Sequence, residues 1–309
     1  MSGWLVGGSL LNKSTRDGAF RDYAIDRMSR LWIVLVPTFI LILAIGMLTA
    51  RIDPHVASFA AGNDYSATAL VGNLVGLQKI TVPTFGGNFP LWSLSNETWY
   101  YVLFPLLVIA MGTKSTLYRA GATVAAAGLA WWLNGPILLY FGIWLLGAAG
   151  SRIELHTDAL TRWILALAFA AVAIFLRMKG KNDDLGIASF FPDLLFSILF
   201  ILFLTSMQVR LTSGRRITTI AKRTAKFFAN FSFTLYVVHV PLIGLATFQF
   251  SYLAHNRLEP NNPSHLLAYV GLFGAIVAVA YVFHLPFEAN TQRLRTWLKS
   301  VSLRARSVV

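Results

Sequence analysis

Pro90-Leu91-Trp92-Ser93-Leu94-Ser95-Asn96-Glu97-Thr98-Trp99-Tyr100-Tyr101-Val102-Leu103-Phe104-Pro105 sets a carboxylate and two serines inside a run that is otherwise apolar and aromatic. A charge at bilayer depth costs several kcal/mol and persists where it has a partner or a task. Ser93 and Glu97 stand four apart, so a helix puts them on one face, continued by Tyr100 or Tyr101 and by Phe104. Trp92, Trp99, Tyr100 and Tyr101 would sit at a membrane interface, where aromatic rings are favoured anyway. Two explanations stand side by side: an aromatic belt with Glu97 satisfied by a neighbouring helix, or a functional site.

The composition supports the membrane. Of 309 residues, 56% are hydrophobic and 13% charged, and the mean hydropathy is +0.62. A soluble domain carries roughly 25% charged residues. The chain is therefore predicted to be all-α, a polytopic transmembrane helical bundle, with one membrane-embedded domain over 1–309 and no soluble domain. The net charge of +13 would suggest nucleic acid in a soluble protein. Here the basic residues lie in short tracts between apolar runs, which membrane orientation explains better, so no nucleic acid is expected. Cysteine is absent, which excludes disulfides, thiolate metal sites and a cysteine-bound acyl intermediate. No phosphate loop, nucleophile elbow or His-Glu-x-x-His pattern occurs, and His55, His156, His255 and His265 are scattered, so no metal site is expected.

Apolar length predicts about nine spans, at 1–11 (incomplete), 31–50, 91–111, 117–133, 137–150, 162–177, 187–207, 228–249 and 265–285. The loops 12–30 and 208–227, the C-terminal tail and two short turns hold 20 of the 26 basic residues on one side of that alternation. By the positive-inside rule that side is cytoplasmic, which leaves the N-terminus outside and the C-terminus inside. The stretch 66–77 in the long outer segment is too short and too polar to cross, and is predicted to be an interfacial helix. Outer turns are expected at 180–184 and 260–263.

Two further patterns carry chemistry. Arg27 and Arg30 are three apart at the mouth of span 31–50, before Leu31-Trp32 and Pro37. Two guanidinium forks on one face can grip phosphate oxygens, although snorkelling arginines at a cytoplasmic boundary explain the spacing as well. In Asn230-Phe231-Ser232-Phe233-Thr234-Leu235-Tyr236-Val237-Val238-His239-Val240-Pro241, Ser232, Tyr236 and His239 fall on one helical stripe, expected to face the bundle interior. A buried histidine of this kind serves more often in structure or substrate positioning than in proton transfer. Asp193, within span 187–207, is a further intramembrane acid without an assigned partner.

Three of these patterns resemble motifs of the acyltransferase-3 family, integral membrane O-acyltransferases of cell-surface glycans and lipids. Pro90 to Pro105 resembles the family's Pro-x-Trp-Ser-Leu-Ser-x-Glu, aromatics, Phe-Pro signature; Arg27-Met28-Ser29-Arg30 resembles its Arg-x-x-Arg element; and Ser232 to Pro241 resembles its Ser-Tyr/Phe-x-Leu-Tyr-x-x-His-x-Pro motif. His284, Pro286 and Glu288 echo a terminal Glu-x-Pro region only loosely, since the order here is Pro286-Phe287-Glu288. The resemblance implies that Arg27 and Arg30 bind the acyl-coenzyme A donor. It implies that Trp92, Ser93, Tyr236 and His239 shape the acceptor side, with Glu97 the candidate catalytic group. Family members have about ten spans, the first carrying a histidine thought to act as general base. Ser2-Gly3-Trp4-Leu5-Val6 looks like the start of the second, so the expectation is an N-terminally incomplete member whose upstream DNA encodes a histidine-bearing helix.

The function expected is transfer of an acyl group, acetyl above all, from cytoplasmic acyl-coenzyme A to a hydroxyl of a lipid-linked or exported polysaccharide. The setting expected is a bacterial-type inner membrane, with the lipid bilayer, the donor and a saccharide or glycolipid acceptor as partners and no permanently bound cofactor. The alternative is a non-catalytic transporter or flippase, or a degenerate family member lacking the first-helix histidine. With Glu97 near the outer leaflet and the arginines near the inner one, donor and acceptor groups are expected up to one membrane thickness apart.

Overall fold

Apolar runs of about twenty residues leave the backbone one way to satisfy its N–H and C=O groups in lipid, the α-helix, and helices are what form. The computed structural model describes residues 1–52, 63–112, 115–178, 187–207, 216–253 and 262–306. A π-helical turn at Gly3–Gly7 leads into α1 (Gly8–Leu11), followed by α2 (Ala19–Ile52), α3 (Ala67–Leu74), α4 (Leu91–Gly112), α5 (Thr116–Trp132) and α6 (Gly135–Gly150). The second half holds α7 (Ala159–Met178), α8 (Ile187–Ser206), α9 (Arg216–Asn230), α10 (Ser232–Leu253), α11 (Pro263–His284) and α12 (Thr291–Arg306). No β-strand forms among the described residues, only isolated bridges joining Asp64 to Phe85 and Gln78 to Val82. The fold is an all-α bundle of apolar helices. Among the described residues, Ala19–Ile52, Ala159–Met178, Ser189–Ser206, Ser232–Phe250 and His265–Ser302 are long and apolar enough to cross a membrane.

Each expected span coincides with a helix, but three stretches read as loop or tail are helical too. α2 begins at Ala19, after Gly18 turns the chain with φ +77°, so Asp22, Asp26, Arg27 and Arg30 stand on the helix and not in a loop before it. α9 and α12 occupy the basic stretches after 215 and 290. The expected turn at 180–184, His55, His255 and most of the turn at 260–263 lie outside the described residues.

The chain groups into two compact units: Met1–Arg21 with Trp99–Ser213, and Asp22–Thr98 with Gly214–Val309. In the first unit the opening helical segment lies directly on α6. A Cβ on Gly3 would stand 2.0 Å from the Trp144 carbonyl oxygen, and one on Gly7 2.5 Å from the Ala148 Cβ. Small residues four apart let two helices approach this closely, the device of helix pairs in lipid. Tyr100, Phe104, Phe141 and Trp144 fill the space beside them, with Phe104 and Trp144 edge to face at 4.9 Å. Phe169 of α7 stacks on Phe196 of α8 at 4.8 Å. Asp193 finds its partner here: the Tyr140 hydroxyl donates to it at 2.5 Å and lies 3.1 Å from Ser189 Oγ.

In the second unit the segment between α2 and α4 does not lie flat beyond the end of α2. Tyr65 meets Gly46, Phe85 packs on Phe39 at 5.3 Å, and the Leu74 carbonyl accepts from Trp32 Nε1 at 3.0 Å. Gly46 and Trp32 are fourteen residues apart on α2, about 21 Å of helix at 1.5 Å per residue. α3 is as short as expected, yet it runs down the side of α2. Irregular backbone is tolerated at membrane depth when protein buries it and satisfies its polar groups. Asn73 does this, donating to the carbonyls of Ala69 at 2.7 Å and Pro83 at 2.9 Å and accepting from Phe85 N–H at 3.1 Å. The polarity that marked this stretch as non-crossing is the polarity that lets it be buried.

Candidate functional site

Pro241 has no N–H, so the carbonyl of Val237, one turn earlier in α10, loses its helical donor. Asn88 supplies the replacement: its Nδ2 donates to Val237 O at 2.9 Å, and the residue is fully buried. That bond pins the end of the 63–90 segment to α10 and fixes where α4 begins.

Immediately after it, the Tyr236 hydroxyl donates to the Pro90 carbonyl and lies 2.5 Å from Ser93 Oγ. A carbonyl can only accept, so the Tyr236 proton belongs to Pro90 and Ser93 is the donor in the second bond. Ser93 is thereby held as a hydrogen-bonding post on the first turn of α4. Trp92 is half-buried beside it. Glu97 follows one turn later on the same face, half-buried and within electrostatic reach of Tyr236.

His239 lies on the next turn of α10, its ring 6.1 Å from that of Tyr236. Its Nδ1 stands 2.7 Å from the Tyr236 carbonyl and 3.2 Å from that of Leu235. Both neighbours are acceptors, so Nδ1 carries a proton, and in the neutral ring Nε2 holds the lone pair. A hydroxyl brought to Nε2 would find an acceptor there.

The stripe predicted on α10 is rotated in one respect. Ser232 is exposed, its hydroxyl bonded back to Ala229 O at 3.1 Å. Thr234 is the buried residue, and Glu288 caps it: Oε2 accepts from Thr234 N–H at 2.9 Å and from its hydroxyl at 2.6 Å. Glu288 thus satisfies a first-turn N–H of α10, the usual role of an acid at a helix start. His284 is buried against Phe231 and stacked on Tyr281 at 5.7 Å.

Arg27 and Arg30 stand on successive turns of α2. Arg27 is half-buried with its guanidinium 5.9 Å over the Tyr23 ring, and Arg30 is exposed. Trp32, two residues beyond, bonds Leu74 O at 3.0 Å, and two residues further along that segment Gly76 O accepts from Ser95 Oγ at 2.6 Å. Gly76 has φ +78°, and a Cβ there would meet Thr98 at 2.8 Å, so only glycine fits the turn. Three residues therefore bridge the turn of Arg30 to the turn of Ser93 and Glu97. Trp32 on α2 and Ser95 on α4 are thus both tied to the short stretch 74–76, because the 63–90 segment carries the start of α4 down along α2.

Sequence reasoning missed the amide network. Asn73, Asn88 and Gln78, whose Nε2 donates to Leu91 O at 2.7 Å, sit in a stretch whose polarity reads as surface. The available signal was Pro241, which announces an orphaned carbonyl.

Three comparisons with known proteins bear on the site. No curated protein and no solved structure matches the chain. The model of the acyltransferase domain of the acyltransferase-3 family matches residues 1–285, which takes in both arginines, the whole Pro90–Pro105 run and the α10 motif. With nearly its entire length matched, the chain belongs to the acyltransferase-3 family of membrane acyltransferases.

Proposed function

We propose that this acyltransferase moves an acyl group, acetyl above all, from cytoplasmic acyl-coenzyme A to a hydroxyl of a lipid-linked or exported saccharide at an inner membrane. The observation that carries the reading is the bridge Trp32–Leu74–Gly76–Ser95, which ties the turn of Arg30 and the turn of Ser93 and Glu97 to the short stretch 74–76. A transferase needs its donor thioester and its acceptor within bonding reach.

In this reading Arg27 and Arg30 take the donor's phosphates, a task suited to guanidinium forks. The acceptor hydroxyl attacks the thioester carbonyl; its C–O bond forms, the C–S bond breaks and coenzyme A leaves as thiolate. The hydroxyl proton passes to the Glu97 carboxylate, and His239, one turn beyond Tyr236 on α10, lines the acceptor side. Trp92, Ser93 and Tyr236 wall the acceptor side. The orientation that puts the donor in the cytoplasm rests on the basic loops and tail.

The test uses purified protein in liposomes with radiolabelled acetyl-coenzyme A and a lipid extract containing saccharide-linked lipids. Release of coenzyme A matched by label in the saccharide lipid is expected. Movement of the lipid across the bilayer with no coenzyme A released would replace this reading with a flippase.

A further inference from the structure

α12 bears two cations one turn apart, Arg295 and Lys299, and both grip the same oxygen of the same acid. Arg295 Nε lies 3.0 Å and Lys299 Nζ 2.8 Å from Asp26 Oδ1. Asp26 is the residue before Arg27, on the turn of α2 that leads to Arg30. Arg295 is itself braced by Gln292, whose Oε1 accepts from Nη1 at 3.1 Å. Two cations of α12 therefore share the Asp26 carboxylate.

The clamp is only partly exposed and puts two cations on one carboxylate oxygen, so besides tying α12 to α2 it sets the charge of that turn. Electrostatics gives it a different task. A polyphosphate ligand approaching Arg27 and Arg30 would meet the Asp26 charge at the same turn, and like charges a few ångströms apart repel strongly where water is partly excluded. Two cations on one carboxylate turn that spot from −1 to +1.

We propose that Arg295 and Lys299 of α12 neutralise Asp26 and thereby complete an anion site for phosphate esters at the Arg27–Arg30 turn. The inference rests on the donor reading above, with the phosphates of coenzyme A as the ligand.

The test is calorimetric titration of coenzyme A into the full chain in nanodiscs of phosphatidylcholine, whose zwitterionic headgroups do not compete for the site. Arg295→Gln/Lys299→Gln should weaken binding about tenfold, since it exposes an anion beside a polyanion. Asp26→Asn should bind as well as wild type or better. Asp26→Asn combined with Arg295→Gln/Lys299→Gln should recover affinity to within about twofold of wild type, because the neutral amide needs no cation.

Weakening by Asp26→Asn alone would overturn the proposal and make the clamp a tether, since that change breaks the ion pairs while removing the repulsion. Unchanged affinity in Arg295→Gln/Lys299→Gln would overturn it too. If that variant does not fold, Asp26→Asn alone still decides. Wild type that binds no coenzyme A removes the donor reading and this inference together. Wild type that binds and loses affinity through Arg30→Ala, with no effect at Arg295 and Lys299, removes the inference only. Repeating the titration in phosphatidylglycerol discs identifies the source of the phosphate: affinity lost there means lipid headgroups occupy the same site.

Discussion

The two units solve the same problem, a chain full of polar backbone in an apolar setting, by opposite means. In the first, helices press together through missing side chains, with Gly3 and Gly7 laid against Trp144 and Ala148 and aromatic rings filling the remainder. Its half-buried acid, Asp193, has Tyr140 as its donor. In the second, a segment that is mostly not helical is buried against α2 and α10, and side-chain amides take over the bonding that a helix would have supplied. Candidate chemistry gathers in the second. A regular helix consumes its own N–H and C=O groups, whereas an irregular segment must be held by side chains. Those side chains also bring distant turns together.

The largest effect expected is on activity. Glu97→Gln keeps the volume and removes the charge; if Glu97 takes the hydroxyl proton, transfer should fall by the ~10²–10⁴-fold typical of a lost general base. Coenzyme A affinity, read by calorimetry, should stay within a few-fold. Equal loss of affinity in Glu97→Gln and Arg30→Ala would mean that the bridge between the two turns, and not the division of roles, sets both.

Next come the glycines of the first unit. Gly3→Ala drives a methyl into the Trp144 carbonyl and Gly7→Ala drives one into Ala148, so each should cost at least the ~1–3 kcal/mol of overpacking, Gly3 more. Gly128→Ala and Gly142→Ala, which have open space around them, should be neutral or slightly stabilising by helix propensity. Thermal unfolding in detergent ranks all four, and a Gly3→Ala no worse than Gly142→Ala would break the first half of the comparison.

A smaller effect sharpens the second half. Asn88→Ala leaves the Val237 carbonyl unmet and should cost ~1–3 kcal/mol. Pro241→Ala gives α10 back the missing N–H, so the double variant should lose less than Asn88→Ala alone. Additive losses would show that Asn88 does not serve that carbonyl.

The helices were legible in the sequence because apolar length and the spacing of basic tracts are both written in one dimension. The members of the candidate site were named in the sequence, and Arg27, Arg30, Ser93, Glu97, Tyr236 and His239 all belong to the second unit. Its depth was not legible. Asn73, Gln78 and Asn88 look like surface residues until their carbonyl partners are known, and the partners Pro83, Leu91 and Val237 lie 10, 13 and 149 positions away. Ser232 and Thr234 differ by two positions, and only Glu288 decides which of them faces inward. α9 and α12 read as loop and tail because their charges outweigh their periodicity.

The smallest expected effect lies outside both packing schemes. Asp158, exposed just before α7, has its carboxyl held below the ordinary range by hydrogen bonds from the Thr161 hydroxyl and N–H. A lowered folded pKa stabilises above the unfolded value of about 3.9, and the gain is lost as pH falls through the lower folded value. Asp158→Ala should lower the melting temperature slightly at pH 7, and the difference should shrink as pH falls through the lowered folded value. A difference that persists there would assign it to something other than the charge.

The central claim is that the 63–90 segment descends along α2 and so brings the start of α4 to the arginine turn. The chain has no cysteine, so pairs can be placed cleanly. Cysteines at Trp32 and Leu74, treated with a short bifunctional maleimide in membranes, test it most directly. The account predicts efficient crosslinking of that pair and none between Leu74 and Ile52. Crosslinking of Leu74 to Ile52, with none to Trp32, would put the segment back at the far end of α2 and separate the donor and acceptor groups again.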